Sequence, residues 1–211
     1  MLKINIIKKT FGNKTILENI DFTISMNGIY GVVGKNGEGK TTFFKCITNL
    51  TNFSGDISYD NLPIKNNEIA FFPTEVPLYD ELTAREFSNF YKELLNLKGN
   101  NKINLFDVPQ DKLIKTFSTG MKKKAYMNAV FQKEYAIYIF DEPFNGLDLE
   151  SNYILMNYIR QLSKTSIVFI SSHILEILYK DCDSIFLINS AMIKKFEKCR
   201  YDEIERELFS K

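Results

Sequence analysis

One histidine and three cysteines in 211 residues leave little from which to build a zinc site. Cys46, Cys182 and Cys199 lie far apart with no Cys-x-x-Cys pair, so reduced thiols of the cytosolic kind are expected. No apolar run approaches the roughly 18 residues of a membrane-spanning helix. The start, Met1-Leu2-Lys3-Ile4-Asn5, has no signal-peptide core, so the chain is expected to stay in the cytoplasm and to need a partner chain for any membrane role. An excess of either charge is also missing. Lys+Arg 27 against Asp+Glu 26 gives +1, which leaves no global electrostatic reason to expect nucleic acid or an anionic membrane as the main partner. Internal repeats and low-complexity stretches are absent.

What is present concentrates in Gly34-Lys35-Asn36-Gly37-Glu38-Gly39-Lys40-Thr41-Thr42, the pattern of a phosphate-binding P-loop. Ile29 to Val33 before it reads as a buried strand. Thr42 to Leu50 after it carries Phe43, Phe44, Ile47 and Leu50 at helical spacing. Glycines let successive amide N–H groups converge on phosphate oxygens, and the helix N-terminus adds a favourable partial charge. Gly34, Asn36, Gly37, Gly39, Lys40, Thr41 and Thr42 are therefore the expected nucleotide contacts. Lys40 would neutralise the terminal phosphates, and the Thr41 hydroxyl would meet magnesium. The competing reading of this stretch alone is an ordinary glycine turn.

Leu2, Ile4 and Ile6, then Ile20, Phe22 and Ile24, alternate as half-buried antiparallel strands around a turn near Phe11-Gly12-Asn13, with a third strand at Asp56 to Tyr59. Ile69 to Phe72, Ile137 to Phe140, Ile167 to Ile170 and Ile185 to Ile188 are short unbroken apolar runs between helical segments, as a buried parallel sheet demands. The expectation is an α/β fold in one domain, 1–211. A helical insert opens at the capping box Thr83 to Glu86 and runs to about Lys115, within a helical subdomain of about 83–130. Phe87, Phe90, Tyr91, Leu94 and Leu95 share one face, expected to be core.

A second constellation is the buried strand ending Phe140-Asp141-Glu142-Pro143. Adjacent buried carboxylates cost free energy unless they meet cations or protons. Asp141 could orient magnesium, and Glu142 could polarise a water attacking the terminal phosphate. Two acids capping a turn is the alternative.

Taken together the chain resembles the ATP-binding subunit of an ATP-binding-cassette (ABC) transporter over nearly its whole length. The resemblance implies a P-loop NTPase of ABC ATPase type, with ATP and magnesium as cofactors. Phe11 stands where that family places an aromatic that stacks on adenine; a turn-side core aromatic is the other reading. Phe117-Ser118-Thr119-Gly120-Met121 resembles the family's signature segment, in which Ser118 and Gly120 would contact ATP held mainly by a second subunit. Asn145-Gly146-Leu147-Asp148 resembles the D-loop, carrying Asp148 to the nucleotide. Ile170-Ser171-Ser172-His173 puts the single histidine where the family keeps its γ-phosphate switch, although His173 alone would read as a helix cap or surface residue.

Departures are as informative. Thr74, in Phe72-Pro73-Thr74-Glu75, stands where the family's Q-loop carries glutamine, so either it is a shorter metal contact or Glu75 substitutes. Thr119 and Met121 replace the usual glycine and glutamine of the signature. Glu38 is expected to face solvent, and Lys122-Lys123-Lys124 to form a solvated helix face. The Phe-Ser-Thr-Gly-Met form and compact C-terminus resemble exporter-type subunits. The implied function is ATP hydrolysis, with Lys40, Glu142 and His173 as catalytic residues, in a dimer that drives a polytopic transmembrane subunit from the inner face of the cell membrane. The second subunit is the same chain or a different one. An ABC ATPase acting on nucleic acid or ribosomes, and a small-molecule P-loop kinase, are the competing functions.

Overall fold

The computed structural model describes residues 1–97 and 104–209; the part of the expected helical insert at 98–103 lies outside them. Strands β1 (Leu2–Phe11) and β2 (Lys14–Ile24) form the expected hairpin, with Gly12 taking the left-handed turn at φ 55. The chain continues through β3 (Gly28–Val33), α1 (Lys40–Ile47), β4 (Ser54–Tyr59), the short β5 (Leu62–Pro63) and β6 (Ile69–Phe72). Then follow α2 (Ala84–Leu94), α3 (Thr119–Val130), β7 (Ile137–Phe140), α4 (Leu149–Leu162), β8 (Ile167–Ser171) and α5 (Leu175–Asp181). Strands β9 (Ser184–Asn189) and β10 (Met192–Glu197) precede the last helix, α6 (Asp202–Phe209).

Two sheets result. An antiparallel sheet runs in the order β2-β1-β4-β5, and a six-stranded sheet in the order β10-β9-β3-β8-β7-β6. All five expected apolar runs lie in the second sheet and pair in parallel. Strand β10, at its edge, pairs antiparallel with β9. Its pattern of exposed residues with Phe196 inward hid it from a search for unbroken apolar runs.

The parallel strands are apolar on both faces because each face meets a separate core. On β7, Ile137 and Ile139 point to the layer shared with the antiparallel sheet, whereas Tyr138 and Phe140 point to the helical side. Helix α1 is inserted between the sheets. Phe43 lies 6.2 Å from Phe22 of β2 and 6.3 Å from Phe169 of β8, ring centre to ring centre. Full burial of each such ring is worth roughly 1.5–3 kcal/mol. This helix starts two residues earlier than its apolar spacing predicts, because Gly39 serves as N-cap, and it ends before Leu50, with the Thr48 hydroxyl donating to the Phe44 carbonyl at 3.0 Å.

The capping box of α2 forms as predicted: Glu86 N–H donates to Thr83 Oγ1 and Thr83 N–H to Glu86 Oε2. Its aromatic face is only partly core. Phe87 is buried and Tyr91 packs beside Tyr126 of α3, but Phe90 and Leu94, a fraction of a turn further round, are exposed.

Candidate functional site

Parallel register brings the ends of four strands to one edge of the sheet. Val32 of β3 pairs with Ser171 of β8, Ile170 with Phe140 of β7, and Phe140 with Phe72 of β6. The loops that leave these strands surround a cleft of about 460 Å³ lined by Phe11, Asn36, Gly37, Gly39, Lys40, Thr41, Thr42, Thr74, Asp141, Glu142, Asn145 and His173. Residues separated by more than 160 positions thus face one space, at the carboxyl end of an α/β sheet where ligands ordinarily bind.

Gly37 and Gly39 have φ of 84 and 109, the left-handed region that a side chain resists. A Cβ at Gly39 would also stand 2.9 Å from Ile16 Cγ2, so β2 presses directly on the loop. Lys40 opens α1, and its Nζ donates to the Gly34 carbonyl at 2.8 Å and the Lys35 carbonyl at 3.4 Å. Gly34 therefore acts through its carbonyl on Lys40 and not as part of the cleft wall. Burial pushes the Lys40 pKa down, and the carboxylates of Glu142, Asp141 and Glu38 pull in the other direction.

Asp141 is held at both oxygens: the Thr41 hydroxyl donates to Oδ2 at 2.6 Å and the Ser171 hydroxyl to Oδ1 at 2.7 Å. Ser171 also accepts the Glu142 N–H at 2.9 Å, which fixes the peptide between the two acids. Thr41 and Asp141 present adjacent hard oxygens. No cluster of three His, Cys, Asp or Glu suited to a metal occurs among the described residues. That donor set fits magnesium, which takes one or two protein oxygens and completes its shell with phosphate and water.

Glu142 has φ 52, unusual for a residue with a side chain. Burial pushes its carboxyl above the ordinary value and the Asp141 charge adds to this, while His173 and Lys40 oppose it. His173 Nε2 lies 3.0 Å from Glu142 Oε1, but the contact lacks hydrogen-bond geometry, and this buried oxygen has no donor. His173 itself is half exposed.

Thr74 lines the cleft, with its hydroxyl donating to the Asp141 carbonyl at 3.2 Å. Glu75 lines a neighbouring groove instead, beside Tyr91 and Tyr126. Phe11 is 55 % exposed at the cleft and has Lys9 Nζ 4.3 Å from its ring centre. An aromatic that keeps an open face at the mouth of a pocket can stack on a flat ring.

Ser118, Gly120 and Asp148 do not line this cleft. Ser118 caps α3, accepting the Met121 N–H at 3.2 Å, and Gly120 packs against Gly146. Asp148 caps α4 through the Ser151 N–H at 2.8 Å, and the Lys124 ammonium, also at 2.8 Å, helps hold its carboxyl well below the usual range.

One expectation for charged residues needs correction. The lysine run is not a solvated face: Lys122 pairs with Asp80, Lys124 with Asp148, and Lys123 is buried, donating to the Glu142 carbonyl at 3.1 Å. Glu38 is turned to the β9–β10 corner, where Oε2 accepts the Ser190 N–H at 2.9 Å. Lys123 and Ser171 are the residues that sequence reasoning missed. The available signal for Lys123 was its place three residues after Gly120 and four before Met127, on the inward face of α3.

Fold and cleft together define a P-loop nucleotide-binding protein with a parallel-rich core sheet. Residues 17–145 match the family described as "ABC transporter". Lantibiotic transport ATP-binding protein SrtF of Streptococcus pyogenes is 31% identical, over 100% of this chain and 96% of its own length. Linearmycin resistance ATP-binding protein LnrL of Bacillus subtilis (strain 168) is 32% identical over 90% of this chain, which spans 66% of that longer relative. A solved structure described as an ATP binding subunit of an ABC transporter superposes with TM-score 0.89 at 24% identity, covering 98% of both chains, a likeness of fold. The chain belongs to the ABC transporter family, as an ATP-binding and ATP-hydrolysing subunit. That assignment sets aside the nucleic-acid and ribosome alternative. Among the described residues no helix is long and apolar enough to cross a membrane.

Proposed function

We propose that the chain, as one ATPase domain over 1–211 with a helical subdomain of about 83–130, forms half of a two-subunit sandwich around ATP. Assembly and opening of that sandwich drive a separate polytopic membrane subunit from the cytoplasmic face of the membrane. Lys40 leaves the Gly34 carbonyl for the terminal phosphates, the amides from Asn36 to Thr42 cradle the phosphate chain, and Phe11 stacks on adenine. Thr41 and Asp141, with Thr74 beside them, would hold magnesium, which when bound neutralises phosphate charge. Glu142 polarises the attacking water, and His173 orients the γ-phosphate.

The observation that carries this reading is the division of the signature from the cleft. Lys40, Asp141, Glu142 and His173 line one space, whereas Ser118, Gly120 and Asp148 lie outside it, with Ser118 exposed at a helix N-terminus. Those groups serve a nucleotide only if it is held by another subunit. Closure then depends on the γ-phosphate, because ADP does not span the two surfaces. The Phe117-to-Met121 form supports an exporter-type partner, and a relative named for lantibiotic transport supports transport as the work done.

The test mixes two variants. Ser118→Arg should bind ATP normally yet lose dimerisation and turnover, and Lys40→Ala should lose ATP affinity at least about tenfold, as expected for a charge-assisted contact worth roughly 1.5–3 kcal/mol. A mixture holds dimers with one intact site, so part of the turnover should return. Loss of ATP affinity in isolated Ser118→Arg would place the signature in the chain's own site and end the shared-site reading.

A further inference from the structure

Glu142 is the one acid of the cleft whose backbone sits in the left-handed region, with φ 52, so its side chain points where it does only while its two peptides are restrained. The N–H side is restrained by Ser171 Oγ at 2.9 Å. The carbonyl side is restrained by Lys123 Nζ at 3.1 Å, from a lysine that is only 3% exposed. The Asn145 N–H also approaches that carbonyl, at a longer 3.4 Å. Lysine is almost never buried to this degree without a compensating partner. Here the carboxylates of Glu142 and Asp141 supply the compensating field, while burial opposes the ammonium charge.

The lysine comes from α3, the helix whose first residues carry the signature. Ser118 caps that helix, and two residues further on Gly120 rests against the Gly146 carbonyl. Lys123 is thus a rigid link from the signature helix to the peptide of the hydrolytic glutamate. Removing its ammonium leaves the left-handed peptide held from the Ser171 side and by the weaker Asn145 contact, free to relax and swing the carboxylate from the position that serves water.

We infer that Lys123 is a positioning residue for hydrolysis, fixing Glu142 through its main-chain carbonyl and making turnover depend on where α3 sits. This rests on the reading that Glu142 polarises the attacking water. ATP binding does not pass through the contact, because Lys123 does not line the cleft.

Lys123→Met is the informative variant. It keeps much of the length and volume while deleting the buried charge, and because removing one partner of a buried charged contact can itself destabilise a fold, the thermal midpoint is part of the readout. ATP turnover, ATP affinity by titration and the thermal midpoint are measured for wild type, Lys123→Met and Glu142→Gln. Expected is a fall in kcat of at least about tenfold in Lys123→Met, the scale of a small misplacement of a catalytic group, with ATP affinity held within about twofold. Lys123→Met should also accumulate ATP-bound dimer, as a hydrolysis-deficient but folded subunit would. Unchanged kcat in Lys123→Met, with Glu142→Gln inactive, overturns the inference alone. A joint fall of kcat, affinity and midpoint reduces Lys123 to a packing residue and overturns it too. Full turnover in Glu142→Gln would instead remove the reading beneath it.

Discussion

A methyl group on Gly120 would stand 2.4 Å from the carbonyl oxygen of Gly146, nearer than any real side-chain contact. The obstacle is backbone, so it cannot rotate aside. The signature helix and the turn that follows Asp141-Glu142 are therefore in direct apposition within one chain, and a displacement of either must be felt by the other.

Gly120→Ala should accordingly destabilise the fold by roughly 1–3 kcal/mol, the usual range for overpacking, and should lower turnover more than ATP affinity. Urea denaturation and ATP titration check both parts. A variant with wild-type stability and wild-type turnover would mean that the turn at Gly146 moves freely.

Glu142→Gln should keep ATP binding and lower turnover by about a hundredfold or more, since the amide retains shape and loses basicity. Burial raises the Glu142 carboxyl above the ordinary 4.5, so the folded state holds this proton to higher pH than the unfolded chain does. The stabilising contribution of that proton is complete below the unfolded value and is lost as pH rises through the folded one. At neutral pH the glutamine variant should melt higher than wild type, with the gap closing as pH falls through the raised folded value and gone below 4.5. The acid limb of wild-type turnover should likewise lie above 4.5, because only the ionised group accepts a proton. Melting curves and rate profiles across pH measure this. An acid limb at or below that value, with equal melting at all pH, would contradict the burial argument.

Thr74→Gln should shift the half-saturating magnesium concentration for turnover by a few-fold, corresponding to one hydrogen bond of roughly 0.5–1.5 kcal/mol gained or rearranged near the metal. Glu75→Ala should leave magnesium dependence unaltered, because Glu75 faces the groove beside Tyr91 and not the cleft. Magnesium titrations of both variants decide the point; the opposite pattern would assign the metal contact to Glu75.

The legible parts of this molecule were those set by local rules. Ile137 to Phe140 could be recognised as a buried strand of a parallel sheet because both of its faces are apolar, and Gly34 to Thr42 because phosphate binding demands those residue types in close sequence. What escaped was set by tertiary partners. Lys123 sits in a run of three lysines, where solvent exposure is the reasonable inference, and only the packing of α3 against the Glu142 peptide makes it interior. Ser171 lies beside the more conspicuous His173, and its bonds to Asp141 and the Glu142 N–H depend on the pairing of β7 with β8. Phe90 and Leu94 show the same limit from the other side, since an apolar spacing does not say how wide a face its neighbours will cover. Phe11, Lys40, Asp141, Glu142 and His173, far apart in sequence, line one cleft. The direction of Glu38 toward Ser190 had no sequence signal.

The wedge of α1 between two sheets has a mechanical consequence. Phe43, Phe44, Cys46 and Ile47 are each at most 1% exposed, so the helix cannot tilt without repacking both layers at once. Load arriving at the phosphate cradle is therefore passed to the sheets as to a solid block, and any relative movement within an assembly must be hinged elsewhere. In native-state hydrogen exchange the amides of α1 would open only with the global unfolding of the domain, whereas those of the exposed cap of α3 would exchange earlier.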